Sequence, residues 1–272
     1  MDGSKRMTAQ AEENLGRLME IVARLRSPEG CPWDREQSQR DIARYLLEEA
    51  YEVVDAIASG SPAALREELG DLLFQIVFLA RLAEEEGDFD LAGVAAGIEE
   101  KMIRRHPHVF GDRAVKSVAA VKENWEDIKK KEGKVGATCG EQMAGVIKAL
   151  PALSRAEKIT KVASRVGFDF ASGTDCLQKV EEELTELKGA LRDRSREQVA
   201  EEIGDLIFSL VNLSRLLEVD AEASLRAATD KFVRRFAYVE EELRKRGKKP
   251  VEVPLEEMDR LWEEAKLRRE LP

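Results

Sequence analysis

The chain has 272 residues and a formal net charge of −10, and it is 43% hydrophobic but only 6% aromatic. This length allows two domains of ordinary size. Few aromatic residues, few Pro and much Ala, Leu, Glu, Lys and Arg predict an all-α protein. The negative charge excludes a general nucleic-acid binder, which needs a basic surface. Three scattered Cys, with neither a leader peptide nor a long apolar segment, predict a soluble, cytoplasmic protein that spans no membrane.

Apolar residues at helical spacing predict ten helices, separated by stretches rich in Gly and Pro. The predicted helices span about 12–26, 38–58, 62–86, 90–105, 117–132, 153–165, 173–192, 196–217, 221–246 and 255–269. A polar stretch with four Gly at 133–145 is predicted to be a linker. The chain is thereby divided into a first helical domain at 1–132 and a second at 146–272.

The two halves resemble each other. EELGDLLF at 67–74 corresponds to EEIGDLIF at 201–208, and KMIRR at 101–105 corresponds to KFVRR at 231–235. Trp33-Asp34 likewise corresponds to Phe168-Asp169. A repeat of this length indicates an internal duplication of a domain rather than a solenoid, whose units are shorter.

Each half contains an E-x-x-E and an E-x-x-D motif on successive helices. Residues three apart share a helix face, so two such helices packed together would bring four carboxylates into one pocket. The four are Glu49, Glu52, Glu68 and Asp71 in the first half, and Glu183, Glu186, Glu202 and Asp205 in the second. The second helix of each pair is apolar on most sides, which predicts that it is largely buried. Buried carboxylates need a partner or a metal, although acidic pairs also occur on solvated faces.

Carboxylates without nearby His or Cys form a hard oxygen site. Such a site suits Mg²⁺, with Mn²⁺ as a substitute. A di-iron bundle would need Glu-x-x-His motifs, and the chain has only His106 and His108. These two His are predicted to form a helix-end turn rather than a zinc site.

Basic and aromatic residues recur beside the acidic motifs. Each Lys/Arg pair has i, i+4 spacing and could bind phosphates, and a Trp late in each half could stack on a base. These candidate substrate-binding residues are Lys101, Arg105 and Trp125 in the first half, and Lys231, Arg235 and Trp262 in the second. A solvated basic face and a core Trp are the alternative interpretations.

Taken together, these motifs resemble the MazG family of nucleoside triphosphate pyrophosphohydrolases, within the all-α NTP pyrophosphatase superfamily. The matching stretches include RLRSPEGCPWDREQ, YLLEEAYEVVDAI, RRHPHVFGD, NWEDIKKKE, EEIGDLIFSLVNL and KFVRRF. The resemblance implies tandem four-helix-bundle-like MazG domains, a homodimer, and Mg²⁺-dependent hydrolysis of NTPs with broad base tolerance. It further implies a role in nucleotide-pool housekeeping or stress-nucleotide control.

The resemblance also assigns roles to the residues. It makes the eight acidic residues metal ligands and catalytic groups, and it associates Lys231, Arg235 and Trp262 with substrate. It favours the second domain slightly as the active one, and both domains keep all four acids. Gln198 replaces a Lys that some relatives carry.

We hypothesise that carboxylate-bound Mg²⁺ bridges the triphosphate while a water, prepared by a carboxylate, attacks the α-phosphorus. Pyrophosphate is the leaving group. The alternatives are a nucleotide-binding sensor without turnover, a helical dimerisation module, and a narrow dUTP or dCTP hydrolase.

Overall fold

The computed structural model describes residues 2–111, 117–133, 136–193 and 195–268. It is 81% helical, and no strand occurs in these ranges, which confirms the prediction of an all-α chain with tandem domains. The chain forms two compact units, Met1–Trp125 and Glu126–Pro272. No helix in the described ranges is long and apolar enough to cross a bilayer.

The helices follow the predicted order. In the first half they are α1 (Asp2–Arg26), α2 (Pro32–Glu36), α3 (Gln39–Ser59), α4 (Pro62–Glu86), α5 (Leu91–Arg105), α6 (Pro107–Phe110) and α7 (Val118–Lys131). In the second half they are α8 (Cys139–Ala144), α9 (Ala152–Ser164), α10 (Gly173–Asp193), α11 (Arg196–Leu216), α12 (Ala221–Lys245) and α13 (Leu255–Leu267), with a 3₁₀ turn at Pro250–Glu252.

Short helices lie where loops were predicted. Both α2 and α6 begin with Pro, whose fixed φ suits the first helical position. The predicted linker at 133–145 includes α8, which Thr138 and Glu141 begin with a reciprocal capping box. Residues 134 and 135 of that linker lie outside the described ranges, and the division into domains at 133–145 stays a prediction.

The acidic motifs lie on two helical hairpins, α3 with α4 and α10 with α11. Gly60 ends α3 in the left-handed conformation (φ 68°), which Gly adopts without steric cost. Ser61 then caps α4 by accepting a hydrogen bond from Ala64 N at 3.3 Å. In the second half Ser195 caps α11 in the same way, with Gln198 N at 3.3 Å. Because each connection is short, the two helices of a hairpin are neighbours.

Each unit has its own apolar core. In the first unit, five side chains of α1, α3 and α4 are almost fully buried: Val22, Ile42, Val77, Phe78 and Leu82. In the second unit, Val239 and Leu243 of α12 pack with Leu261 of α13, and Trp262 packs against this cluster. The first core includes residues of α3 and α4 and so holds that hairpin in place, whereas the cluster of the second unit joins α12 to α13.

One prediction about α4 and α11 is wrong. Both helices were expected to be buried on most sides, yet each has an apolar stripe that is exposed in the chain. The stripes are Leu69, Leu73 and Ile76 on α4, and Ile203, Ile207 and Leu210 on α11, each 38–48% exposed. Helical periodicity identifies an apolar face but does not say which surface covers it.

Replacing Leu243 by Ala should lower the free energy of unfolding of the second unit by about 2–5 kcal/mol, because Leu243 is fully buried and the change leaves a cavity. Denaturant unfolding monitored by circular dichroism measures the change. Leu255→Ala is the matched control, since Leu255 is 64% exposed and should lose little. Equal losses in the two variants would contradict the assigned core.

Candidate metal centre

In the first unit, α3 and α4 bring three carboxylates together. Oxygen atoms of Glu49, Glu68 and Asp71 lie within 4.8 Å of one another. Burial raises the pKa of Glu49, and the charges of Asp71 and Glu52 raise it further. Burial and the charge of Glu52 raise the pKa of Glu68. All four predicted acids therefore interact, with Glu52 at the edge of the cluster.

The second unit repeats this arrangement on α10 and α11. Oxygen atoms of Glu183, Glu186 and Glu202 lie within 4.8 Å of one another, and Glu183 is buried. Burial raises the pKa of Glu202, and the charges of Glu186, Glu183 and Asp205 add to the effect. In each half, three of the four predicted acids lie within this distance of one another. The fourth, Glu52 in the first half and Asp205 in the second, interacts with them through its charge.

The equivalent residues Glu49 and Glu183 have different partners in the two clusters. In the first unit, Gln75 Nε2 donates to Glu49 Oε1 at 3.3 Å. In the second, Lys179 Nζ lies 2.7 Å from Glu183 Oε1. Hydrogen bonds to Glu183 and Glu182 raise the pKa of Lys179, so its side chain is a cation. Lys179 was not predicted because the predicted site consists of residues that the two halves share, and the equivalent position 134 residues earlier is Tyr45.

The donor set fits a hard divalent cation. Carboxylates are the preferred ligands of such ions, and no His or Cys joins either group of the described residues. Burial first, and then the charges of neighbouring acids, raise the pKa of Glu49, Glu68 and Glu202, and a bound dication would offset both effects. His106 instead lies at the end of α5, with Nδ1 2.7 Å from Met102 O, as predicted for a helix-end turn.

A cavity of about 530 Å³ adjoins the cluster of the second unit. Glu183, Asp205 and Lys179 form part of its lining. The rest of the lining is Met143, Ile159, Thr160, Ala163, Gly167, Phe168, Asp169, Phe170, Phe208, Ser209 and Asn212. The cavity therefore combines anionic groups and one cation with three aromatic rings, a combination that suits a ligand with a phosphate end and a flat apolar end.

Large side chains occupy the equivalent positions of the first unit. Phe78 lies where Asn212 lies in the second unit, 134 residues later, and it is 1% exposed in the apolar core. Tyr45 lies where Lys179 lies in the second unit, and it packs against the same core. The two units therefore share the acidic cluster but differ in the space beside it.

The family model of the MazG nucleotide pyrophosphohydrolase domain matches the chain twice, at residues 37–110 and 172–239. The two matches contain the two hairpins. The chain belongs to the MazG family.

Relatives match over almost the whole length. The nucleoside triphosphate pyrophosphohydrolase/pyrophosphatase MazG of Thermotoga maritima is 47% identical, over 92% of this chain and 94% of that protein. The nucleoside triphosphate pyrophosphohydrolase of Escherichia coli is 45% identical, over 93% of this chain and 97% of that protein. A crystal structure of a MazG-related protein from T. maritima is 30% identical and covers 42% of this chain and 98% of that one, with a TM-score of 0.38.

The Arg and Trp residues that were predicted to bind substrate contact each other in each half. The Arg105 guanidinium lies 5.6 Å from the Trp125 ring centroid, and that of Arg235 lies 5.8 Å from the Trp262 ring. Each Trp thus has a cation at its ring. Trp262 also packs on the core.

The Lys residues of the two pairs are more accessible: Lys101 is half-buried and Lys231 is exposed. Lys231, Arg235 and Trp262 are not among the described residues that line the cavity. Their contact with substrate therefore stays a prediction.

Replacing Glu202 by Gln should raise the melting temperature of the metal-free protein at neutral pH. Since the folded-state pKa is raised, the ionised group destabilises the fold above that pKa, and the penalty disappears as the pH falls through it. The gain should therefore shrink in acid, and added Mg²⁺ should stabilise the variant less than the wild type.

Thermal melts with EDTA or Mg²⁺, at neutral and acidic pH, measure both effects. Glu181→Gln removes an exposed charge from α10 and serves as the control. A metal-free Glu202→Gln protein that melts below the wild type at neutral pH would argue against crowded carboxylates.

Proposed function

We propose that this MazG-family protein is a divalent-metal-dependent nucleoside triphosphate pyrophosphohydrolase that converts an NTP and water to an NMP and pyrophosphate. We assign turnover to the second unit. The observation that carries this assignment is the cavity beside Glu183 and Asp205, because a carboxylate cluster alone can hold a metal but not a nucleoside. The names of the T. maritima and E. coli relatives support the reaction class.

Glu183, Glu186, Glu202 and Asp205 would hold Mg²⁺, which supplies positive charge to the phosphate oxygens when bound. A carboxylate of the cluster accepts the proton of the water that attacks the α-phosphorus, and pyrophosphate leaves. Lys179, a cation already at the cluster, neutralises part of its charge and so allows a triphosphate to approach. Lys231 and Arg235 of α12 are candidates for binding the leaving phosphates.

Aromatic rings in the cavity support broad base tolerance. Phe168, Phe170 and Phe208 offer ring faces and edges to a base, and stacking tolerates any base because every base has a π-face. Broad tolerance suits nucleotide-pool housekeeping or the control of stress nucleotides.

We also propose a homodimer. The exposed apolar stripes of α4 and α11 lie at positions related by the same 134-residue offset, so the duplicated fold keeps the same uncovered surface in both units. Leaving such stripes in water is unfavourable, and a second copy of the chain offers the same surface for isologous pairing.

Glu183→Gln with Glu186→Gln should lower NTP hydrolysis at least about 100-fold, because the metal loses ligands at the reacting phosphate. The equivalent change in the first unit, Glu49→Gln with Glu52→Gln, should leave most of the activity. Pyrophosphate release with a panel of NTPs measures the rates at several Mg²⁺ concentrations, and Glu181→Gln is the control.

The same assay separates the alternative functions. Loss of activity in the first-unit variant alone would overturn the assignment to the second unit. Tight Mg²⁺-dependent binding without turnover by the wild type would indicate a sensor, and neither binding nor turnover would indicate a dimerisation module. Turnover of dUTP or dCTP alone would replace broad tolerance by a narrow specificity.

Ile203→Asp with Ile207→Asp should halve the molecular mass measured by sedimentation velocity, because the changes bury unpaired charges in an apolar contact. Val251→Asp with Leu255→Asp is the control, since both side chains are exposed outside the stripes. An unchanged dimer in the stripe variant would place the contact elsewhere.

A further inference from the structure

A hydrogen-bonded chain of three residues fixes one side chain of the cavity. Arg215 of α11 donates from Nε and Nη2 to Asn212 Oδ1, at 3.0 and 2.7 Å. The same guanidinium forms an ion pair with Asp169 in the loop before α10. The Arg215 side chain is only 13% exposed, so water competes weakly for these bonds.

These hydrogen bonds determine which atom of its side chain Asn212 can offer to a ligand. A guanidinium only donates, so the amide atom that faces Arg215 must be the oxygen. The amide nitrogen remains as the polar group for the cavity, and it can only donate. Thr160 provides the complement, because its buried hydroxyl donates to Glu157 O at 3.0 Å and so keeps lone pairs that accept.

The position of Asn212 suits the far end of a nucleotide. Asp205, Ser209 and Asn212 are spaced i, i+4 and i+7 on α11, so they share one face. Seven residues of helix rise about 10 Å. That length is comparable to the span from the α-phosphorus to the pairing edge of the base. A nucleotide with its phosphates at the acidic cluster therefore extends its base edge towards Asn212, in the cavity that Thr160 also lines.

An amide donor and a hydroxyl acceptor that line the same cavity can distinguish two classes of base. Guanine, hypoxanthine, uracil and thymine have a carbonyl oxygen next to a ring N–H, which complements an amide N–H and an accepting hydroxyl. Adenine and cytosine have an amino group next to an unprotonated ring nitrogen, which is the reverse pattern. A buried mismatch leaves two donors facing each other.

We propose that Asn212, positioned by Arg215 and Asp169, reads the base edge in the cavity and makes the enzyme prefer NTPs with a carbonyl-bearing base over those with an amino-bearing base. The inference rests on the proposed function and deepens it. Stacking on the aromatic rings tolerates all bases, whereas hydrogen bonding by the Asn212 amide sets the preference among them.

The test uses substrate pairs that differ only at this edge, ITP with ATP and UTP with CTP. Pyrophosphate release by the full-length wild type should give kcat/KM ratios of about 10 or more in favour of ITP and UTP. Asn212→Asp replaces the amide donor by an acceptor beside the same Arg215, so both ratios should fall to 1 or below. Arg215→Met frees the amide to rotate, and its ratios should approach 1 without reversing.

Asn14→Asp, on the exposed surface of α1, makes the same chemical change as a control and should keep the wild-type ratios. Because each ratio compares two substrates on one protein, partial loss of folded enzyme does not alter it. The inference is overturned if the wild-type ratios are near 1, or if Asn212→Asp leaves them unchanged. Either result would leave the proposed hydrolysis of NTPs intact.

Failure of the proposed function would give a different result, because the wild type would then hydrolyse none of the four nucleotides. In that case calorimetric binding of ITP and ATP decides the inference separately. Tighter binding of ITP, reversed in Asn212→Asp, supports the role of Asn212, and equal affinities overturn it.

Discussion

Repulsion among carboxylates on one helical hairpin is the constraint on which the rest of this structure depends. Burial and neighbouring charges raise the pKa of Glu49, Glu68 and Glu202, so the folded chain keeps each cluster at a cost in stability. The capped, short connection between α3 and α4 and that between α10 and α11 hold the acids together. In the first unit, the core that α3 and α4 share with α1 provides stability that this crowding opposes. In either unit a bound divalent cation would relieve the repulsion.

Duplication gave the chain two such clusters, and the differences between them are informative. The first unit has Phe78 and Tyr45 in its core, where the second unit has Asn212 and Lys179 beside a cavity. A large apolar side chain in the first unit contributes to packing, whereas a polar one in the second faces open space. The acids that both units share therefore indicate a function common to the two copies, and the residues that differ indicate separate roles.

Much of the fold could be predicted from the sequence because strong local signals mark its long helices. Ser61 with Pro62 fixes the start of α4, and helical spacing of acids correctly indicated both clusters. The short helices α2, α6 and α8 were missed because helices of four to six residues are too short to show a periodicity. Asn212 was missed because its role depends on Arg215 and on a loop 46 residues from that arginine, a contact that no local pattern encodes.

We propose that the second unit holds the metal at its acidic cluster and the nucleoside in the adjoining cavity. A crystal structure with Mn²⁺ and a non-hydrolysable NTP analogue tests this placement most directly, since anomalous scattering locates the metal. We expect Mn²⁺ on Glu183, Glu186 and Glu202 with the base beside Asn212. Nucleotide bound at Glu49 and Glu68 of the first unit, or a base outside the cavity, would contradict it.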